Sequence, residues 1–245
     1  QVHPLHNLVD DFETVNGLQP EDDPDYNPND PYADRDPRFY ATILHDGAPF
    51  QGREVETFLP GGLDSNEGPV SAWNATQTGY YQLKFANERI VNPSGNNMSQ
   101  TPWTFARYAE ILLNYAEANY FLGNEDITRE YLNIVRNRPS VNMPDVTESG
   151  DALFERIVNE RRIELVFEEH RWFDIRRWKI LPEVADKDRT RMIIRKQADG
   201  TKTYEVAFWK TGNFNPANYL LPIPQSEINK NGLLEQNPGY NVAQQ

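Results

Sequence analysis

The chain has 245 residues, enough for one large domain or two small ones, and carries 37 acidic against 24 basic residues for a formal net charge of −13. That acidity argues against a nucleic-acid backbone as partner, because phosphate binding needs a basic face. Zero cysteines exclude disulfides and thiolate chemistry, and no run of about 20 apolar residues offers a membrane-spanning helix. No signal peptide is visible and Gln1 is not an initiator Met, which reads as a processed chain or a fragment.

Residues 2–58 are rich in Pro, Asp and Asn, with one short helical signal from Leu8 to Val15 closed by the turn-forming pair Asn16-Gly17. Phe39 to Leu44, FYATIL, is dominated by β-branched and aromatic residues and predicts a short strand. Pro60 to Gly79 holds GG, GP and TG and predicts an exposed loop. Tyr80 to Phe85 alternates, with Tyr81, Leu83 and Phe85 on an inward face and Tyr80, Gln82 and Lys84 on the outer one.

Helices follow. Thr101-Pro102 supplies a cap and a first-turn proline for a helix starting at Pro102 or Trp103. Phe105, Tyr108, Ile111, Leu112, Tyr115, Ala116 and Asn119 keep its period until Gly123. A second helix runs Glu125 to Asn137, with Ile127, Tyr131, Ile134 and Val135 inward, stopped by Pro139. Small Ala116 and Ala118 at the crossing suggest one tetratricopeptide-type hairpin, a unit that needs stacking neighbours to bury its own face. Asp151 to Glu169 is a third helix and Arg171 to Trp178 its short continuation. Arg189 to Trp209 alternates around Asp199-Gly200, a hairpin signal. Leu221 to Pro224 is extended, Ser226 to Asn231 a short helix, and Asn237-Pro238-Gly239 the closing turn.

The stretch Arg156 to Lys179, RIVNERRIELVFEEHRWFDIRRWK, sets charges beside aromatics instead of separating them. Arg161, Glu164, Leu165 and Glu168 recur at helical spacing, close to the apolar stripe of Phe154, Ile157, Val158 and Leu165. Such charges persist near a core only when paired. The reading preferred here is a packed ionic core: Phe154, Leu165, Trp172 and Trp178 buried, and Arg161, Glu164, Arg171 or Asp174 paired beneath the surface. The competing reading is a catalytic carboxylate cluster.

This stretch closely resembles the ERRIEL-x-F-E-x-HRWFD-x-RRW signature of the SusD/RagB family, surface glycan-binding lipoproteins of Bacteroidetes. NPNDPYADRDPRFYATIL (Asn27 to Leu44), RYAEILLNYAEANYFLG (Arg107 to Gly123) and YLLPIPQSEINKNGLLEQNPGY (Tyr219 to Tyr240) resemble other family segments, in the family's order. The likeness covers the C-terminal half of a usual member, the half with most helical repeats being absent. It implies a mostly α-helical, SusD-like fold: an irregular, loop-rich portion at 1–101, a helical portion at 102–180, and a hairpin and closing segment at 181–245. It also implies a non-enzymatic glycan-binding protein, lipid-anchored on the outer face of the outer membrane through the missing N-terminal part. The implied partner is a SusC-like TonB-dependent transporter. A secreted glycan-active hydrolase and a helical-repeat adaptor are the alternatives.

Other constellations are weaker. His3 and His6 flank Pro4 near a terminus, and His45 and His170 stand alone, so no metal site is expected from them. Asp25, Asn27 and Asn29 alternate like the opening of a calcium loop, but Asp30 stands where its glycine belongs and Asp36 replaces the bidentate glutamate. A solvated, proline-stiffened loop is the better reading there, with calcium as the alternative. A glycosidase needs two carboxyl groups about 5–10 Å apart across an open cleft. Glu160, Glu164 and Glu168 share a helical face, but Arg161, Arg162, Arg171 and Arg177 stand ready to neutralise them.

Aromatic residues in polar loops remain. Sugars present C–H faces to aromatic rings and hydroxyls to Asn, Gln, Asp and Arg. Trp73, beside Asn66, Asn74 and Gln77 in the glycine-rich loop, and Tyr80 on the outer edge of its strand are the expected glycan platforms, with Asn74 and Gln77 as polar partners. A loop tryptophan that plugs a local hydrophobic gap is the plainer alternative.

Overall fold

The computed structural model describes residues 3–69, 72–90 and 102–240. It is mostly helical, with eight helices and three two-stranded antiparallel sheets among those residues. In chain order, the first part holds α1 (His6–Asp10), α2 (Pro37–Thr42), β1 (Ile43–Leu44), β2 (Pro49–Phe50), β3 (Arg53–Glu54) and β4 (Tyr81–Gln82). The helical part holds α3 (Tyr108–Phe121), α4 (Glu125–Arg136), α5 (Gly150–Glu164), α6 (His170–Arg177) and α7 (Leu181–Asp186). A hairpin of β5 (Arg189–Lys196) and β6 (Lys202–Lys210) follows, then α8 (Gln225–Lys230).

Two cores meet at α5. One gathers Val9, Phe12, Phe39, Ile43, Tyr80 and Ile194 from the irregular half and the hairpin, with Ile163 of α5. The other gathers Leu113, Ala116, Leu132 and Val135 of the α3–α4 pair with Leu153 and Ile157 of α5. The α3–α4 crossing is close because Ala116 carries only a methyl group there, and the Thr128 hydroxyl donates to the Ala116 carbonyl at 3.1 Å. Between the two cores, α5 turns its Glu160 and Glu164 into an ionic seam.

Several expectations change. FYATIL divides into the end of α2 and the two residues of β1, which pairs with β4. The helix starts there because the Asp36 carboxylate accepts from the Arg38 backbone N–H at 2.8 Å and Pro37 occupies the first turn. The signal at Leu8 to Val15 yields only the single short helix α1. α3 begins at Tyr108, not at Pro102 or Trp103, and the expected Thr101 cap lies outside the described residues. Its buried face is Leu112, Leu113, Ala116 and Asn119, leaving Tyr108, Ile111 and Tyr115 exposed, because α4 and α5 both pack on the leucine side. In α4, Val135 is buried as expected and Ile134 is exposed.

The third helix ends at Glu164. Phe167 and Glu169 then adopt left-handed backbone at φ of 62° and 67°, and α6 leaves in a new direction. Asp174 and Ile175 therefore point inward. Trp172, expected in the core, is 50 % exposed, and the Arg176 guanidinium lies 3.2 Å over its ring. Leu165 is buried as expected, while Phe154 and Trp178 are half-buried.

Candidate functional site

The charged seam decides whether any of its carboxylates is available for chemistry. Glu164, its side chain 1 % exposed, accepts from Arg107 at 2.6 Å, from Arg138 at 2.7 and 2.9 Å, and from Arg38 at 3.1 Å. Burial alone would raise its pKa. Hydrogen bonding from Arg138 and the charges of Arg38 and Arg107 outweigh burial and hold it at about 2. Glu160 pairs with Arg38 and, at 2.9 Å, with Arg136; Glu168 pairs with Lys84 and, at 2.7 Å, with Arg107. Burial opposes ionisation at both, and the same cations still lower their pKa values. A glycosidase acid needs a raised pKa in an open cleft. These three have the reverse.

The neutralising partners differ from those the sequence suggests. Arg38, Lys84, Arg107, Arg136 and Arg138 engage the three glutamates. Arg161 instead pairs with Asp174 at 3.2 Å, Arg162 with Asp11, and Arg177 with Glu117 and Asp174. Arg171 has no ion pair among the described residues. Its Nε and Nη1 are buried without hydrogen-bond partners, and burial, with the nearby Arg162 charge, lowers its pKa to about 10.

The loop between Pro60 and Gly79 is anchored at several of its described residues. The Asp64 carboxylate accepts from both Arg53 Nη atoms at 2.6 Å and from the Glu56 N–H at 2.9 Å. The Tyr81 hydroxyl donates to the Asp64 carbonyl at 2.7 Å and accepts from the Thr76 N–H at 2.9 Å. Backbone crowding requires glycine at two points. A Cβ at Gly62 would lie 2.5 Å from the Glu56 and Phe58 carbonyls; one at Gly79, where φ is +87°, would lie 2.6 Å from the Met192 carbonyl. That second approach lets the Met192 N–H bond the Thr78 carbonyl at 3.0 Å and fastens the loop to β5.

On this loop the expected site residues separate. Trp73, in a single 3-10 turn at Ala72–Asn74, is 87 % exposed, so it plugs no hydrophobic gap. Asn74 next to it lines a cleft of about 550 Å³ with Phe50, Arg53, Asp64 and Tyr81. Gln77 lines a smaller cleft of about 240 Å³ with Asn66, Thr76 and Arg191. Tyr80 corrects the expectation. It is 0 % exposed, its ring lies in the core, and its hydroxyl is 2.8 Å from His6 Nδ1. Both sides of this segment meet a core: Tyr80 enters the one around Phe39 and Ile43, while Tyr81 and Leu83, on the face expected inward, pack half-buried against Leu44, Ala48 and Val55, with Tyr81 also at the cleft. Phe50 and Arg53, which also line the larger cleft, are not predicted from the sequence because they come from a separate hairpin, and Asp64 is not because its role depends on Arg53 across that hairpin. Arg191 had a signal in the alternation of β5.

The calcium-like spacing folds as turns. The Asn27 side chain accepts from the Asn29 N–H at 3.0 Å, and Asp23 accepts from the Asp25 N–H at 2.9 Å. Among the described residues no group of three or more His, Asp or Glu is gathered around a common point for a metal ion. No helix among them is long and apolar enough to cross a membrane.

Solved structures share this architecture. A SusD-like protein of Bacteroides fragilis is 32 % identical, with a TM-score of 0.76 over 97 % of this chain and 47 % of its own. A SusD-like carbohydrate binding protein of the same organism is 34 % identical, with a TM-score of 0.71 over 92 % of this chain and 47 % of its own. A curated relative, SusD-like protein P2 of Formosa agariphila, is 34 % identical over 62 % of this chain and 29 % of its own length. The chain thus spans just under half of those solved chains and under a third of that relative. The SusD family matches residues 1–240, and the chain belongs to that family.

Proposed function

We propose that this chain supplies part of a glycan-binding surface on a lipid-anchored outer-membrane protein. That protein captures oligo- or polysaccharides and passes them to a SusC-like TonB-dependent transporter. Family membership supports the reading, as does likeness to a solved protein described as carbohydrate binding. The observation that carries it is Trp73, an 87 % exposed ring on a loop fastened by Asp64, Tyr81 and the close approach at Gly79. An exposed ring with only two rotatable side-chain bonds can pack on a sugar face with little loss of side-chain entropy. Asn74 and Gln77, which follow it in the same loop, offer amides to hydroxyls.

The function is binding without catalysis in this reading. Glu160, Glu164 and Glu168 are spoken for by arginines and a lysine, which weighs against the hydrolase alternative. Single contacts of this kind are weak, so affinities of roughly micromolar to millimolar, raised by polymer avidity, are expected. Affinity electrophoresis of the full chain through gels containing different polysaccharides tests the reading. Retardation by at least one of them is expected. Unchanged migration in every gel by folded protein would overturn it.

A further inference from the structure

The β5–β6 hairpin is a basic island in an acidic chain. Residues 189–210 carry Arg189, Arg191, Arg195, Lys196, Lys202 and Lys210 against Asp199 and Glu205, an excess of four positive charges where the whole chain stands at −13. Most of these cations are occupied. Arg189 donates to the Thr211 carbonyl, Lys202 pairs with Asp46, and Lys196 and Lys210 lie over Phe58 and Trp209. Arg191 and Arg195 differ: among the described residues neither guanidinium has an acidic partner, and Arg191 Nε is buried with no acceptor.

Strand geometry aims both at one place. Met192 and Ile194 face the core, so Arg191, Ile193 and Arg195 share the opposite face. All three line the cleft of about 240 Å³ that also contains Asn66 and Gln77 of the Trp73 loop. Exposed Glu67 lines the same cleft, and Glu205 stands opposite Ile193 across the hairpin, yet neither forms an ion pair with the arginines among the described residues. A guanidinium partly withdrawn from water without a counter-charge is an unmet demand for an anion, and its planar fork suits carboxylate or sulfate oxygens.

We infer that this cleft and its rim take anionic substituents of the glycan, uronate carboxylates or sulfate esters, one against Arg191 and the next against Arg195. The inference rests on the glycan-binding reading and names the substrate class. The cleft is smaller than most enclosed small-molecule sites, so it holds one ring or one charged group while the rest of the polymer extends past it. Four strand residues place the two arginines about 13 Å apart at Cα. An extended polymer with repeated anionic groups meets both, whereas a small single anion meets one.

Titration calorimetry on the full chain tests this with matched pairs: polygalacturonate against its methyl ester, dextran sulfate against dextran, and polyglutamate as a polyanion without sugar. At least one acidic glycan should bind roughly tenfold more tightly than its uncharged counterpart, and which pair responds separates carboxylate from sulfate. Arg191→Gln and Arg195→Gln should each weaken that binding severalfold at an unchanged melting temperature. Arg195 is exposed, so its variant remains informative if the Arg191 change perturbs folding. Equal affinity for the uncharged counterparts, full affinity in both variants, or polyglutamate binding as tight as the acidic glycan would each overturn the inference. Binding of neutral glycans alone would overturn it and leave the glycan-binding reading standing. Binding of no glycan would overturn both.

Discussion

Replacing Glu164 by Gln removes the charge at the centre of the ionic seam while keeping the shape of the side chain. Four hydrogen bonds from Arg38, Arg107 and Arg138 converge on it, and the side chain is 1 % exposed. Holding the carboxyl at about 2 instead of the ordinary 4.5 contributes about 3 kcal/mol at neutral pH, at roughly 1.4 kcal/mol per tenfold. That agrees with the roughly 3–5 kcal/mol for breaking a buried pair from one side. For a domain of this size it lowers the melting temperature by about 6–12 °C. The pH dependence gives a second test. A depressed folded-state pKa stabilises above the unfolded value of 4.5, and the contribution disappears as pH falls toward 2. Urea denaturation should therefore separate parent and variant by about 3 kcal/mol at pH 7 and only about 1.5 kcal/mol at pH 3. Equal midpoints at pH 7, or a gap at pH 3 as wide as at pH 7, would show that the charge of Glu164 does not hold the seam.

Tyr80→Ala should cost about 3–5 kcal/mol in chemical denaturation, since it empties a fully buried site and strands His6. A variant as stable as the parent would restore Tyr80 to the surface. Gly79→Ala should cost about 1–3 kcal/mol, because φ is +87° and the Met192 carbonyl lies only 2.6 Å from the Cβ position; a thermal melt within 1 °C of the parent would refute this close approach. Trp172→Ala should cost about 1 kcal/mol, mostly the stacked Arg176, and not the several kcal/mol of a core tryptophan. A melting temperature lowered by more than about 10 °C would put that ring back in a core.

Most local signals are legible in the chain, and long-range pairing is not. The β5–β6 hairpin was legible because Asp199-Gly200 fixes the turn and the register follows from it. The acidic half of the seam was legible because Glu160, Glu164 and Glu168 repeat at helical spacing. Its basic half comes from Arg38, Lys84, Arg107, Arg136 and Arg138, scattered over distant elements, and no local rule points to them. FYATIL misled because its β-branched residues outweighed the Asp36-Pro37 start signal immediately before it. At Tyr80 and Tyr81 a period of two gives two faces but cannot show that each meets its own core, as they do here. Trp172 follows the helical period of α5 only if the helix continues. The left-handed residues Phe167 and Glu169 end that continuity, and neither is a glycine that would announce it. Trp73 was legible as a loop ring with polar neighbours. The clefts beside it were not, since their walls belong to β2, β3 and β5.

Calorimetry of the full chain against a polysaccharide that retards it in gels tests the proposed glycan contact at Trp73. Trp73→Ala, at an 87 % exposed position, should leave the melting temperature within about 1 °C of the parent and weaken binding roughly tenfold, about the 1–1.5 kcal/mol of one ring contact. Full affinity retained by a folded Trp73→Ala variant would contradict the account and place the sugar elsewhere on the molecule.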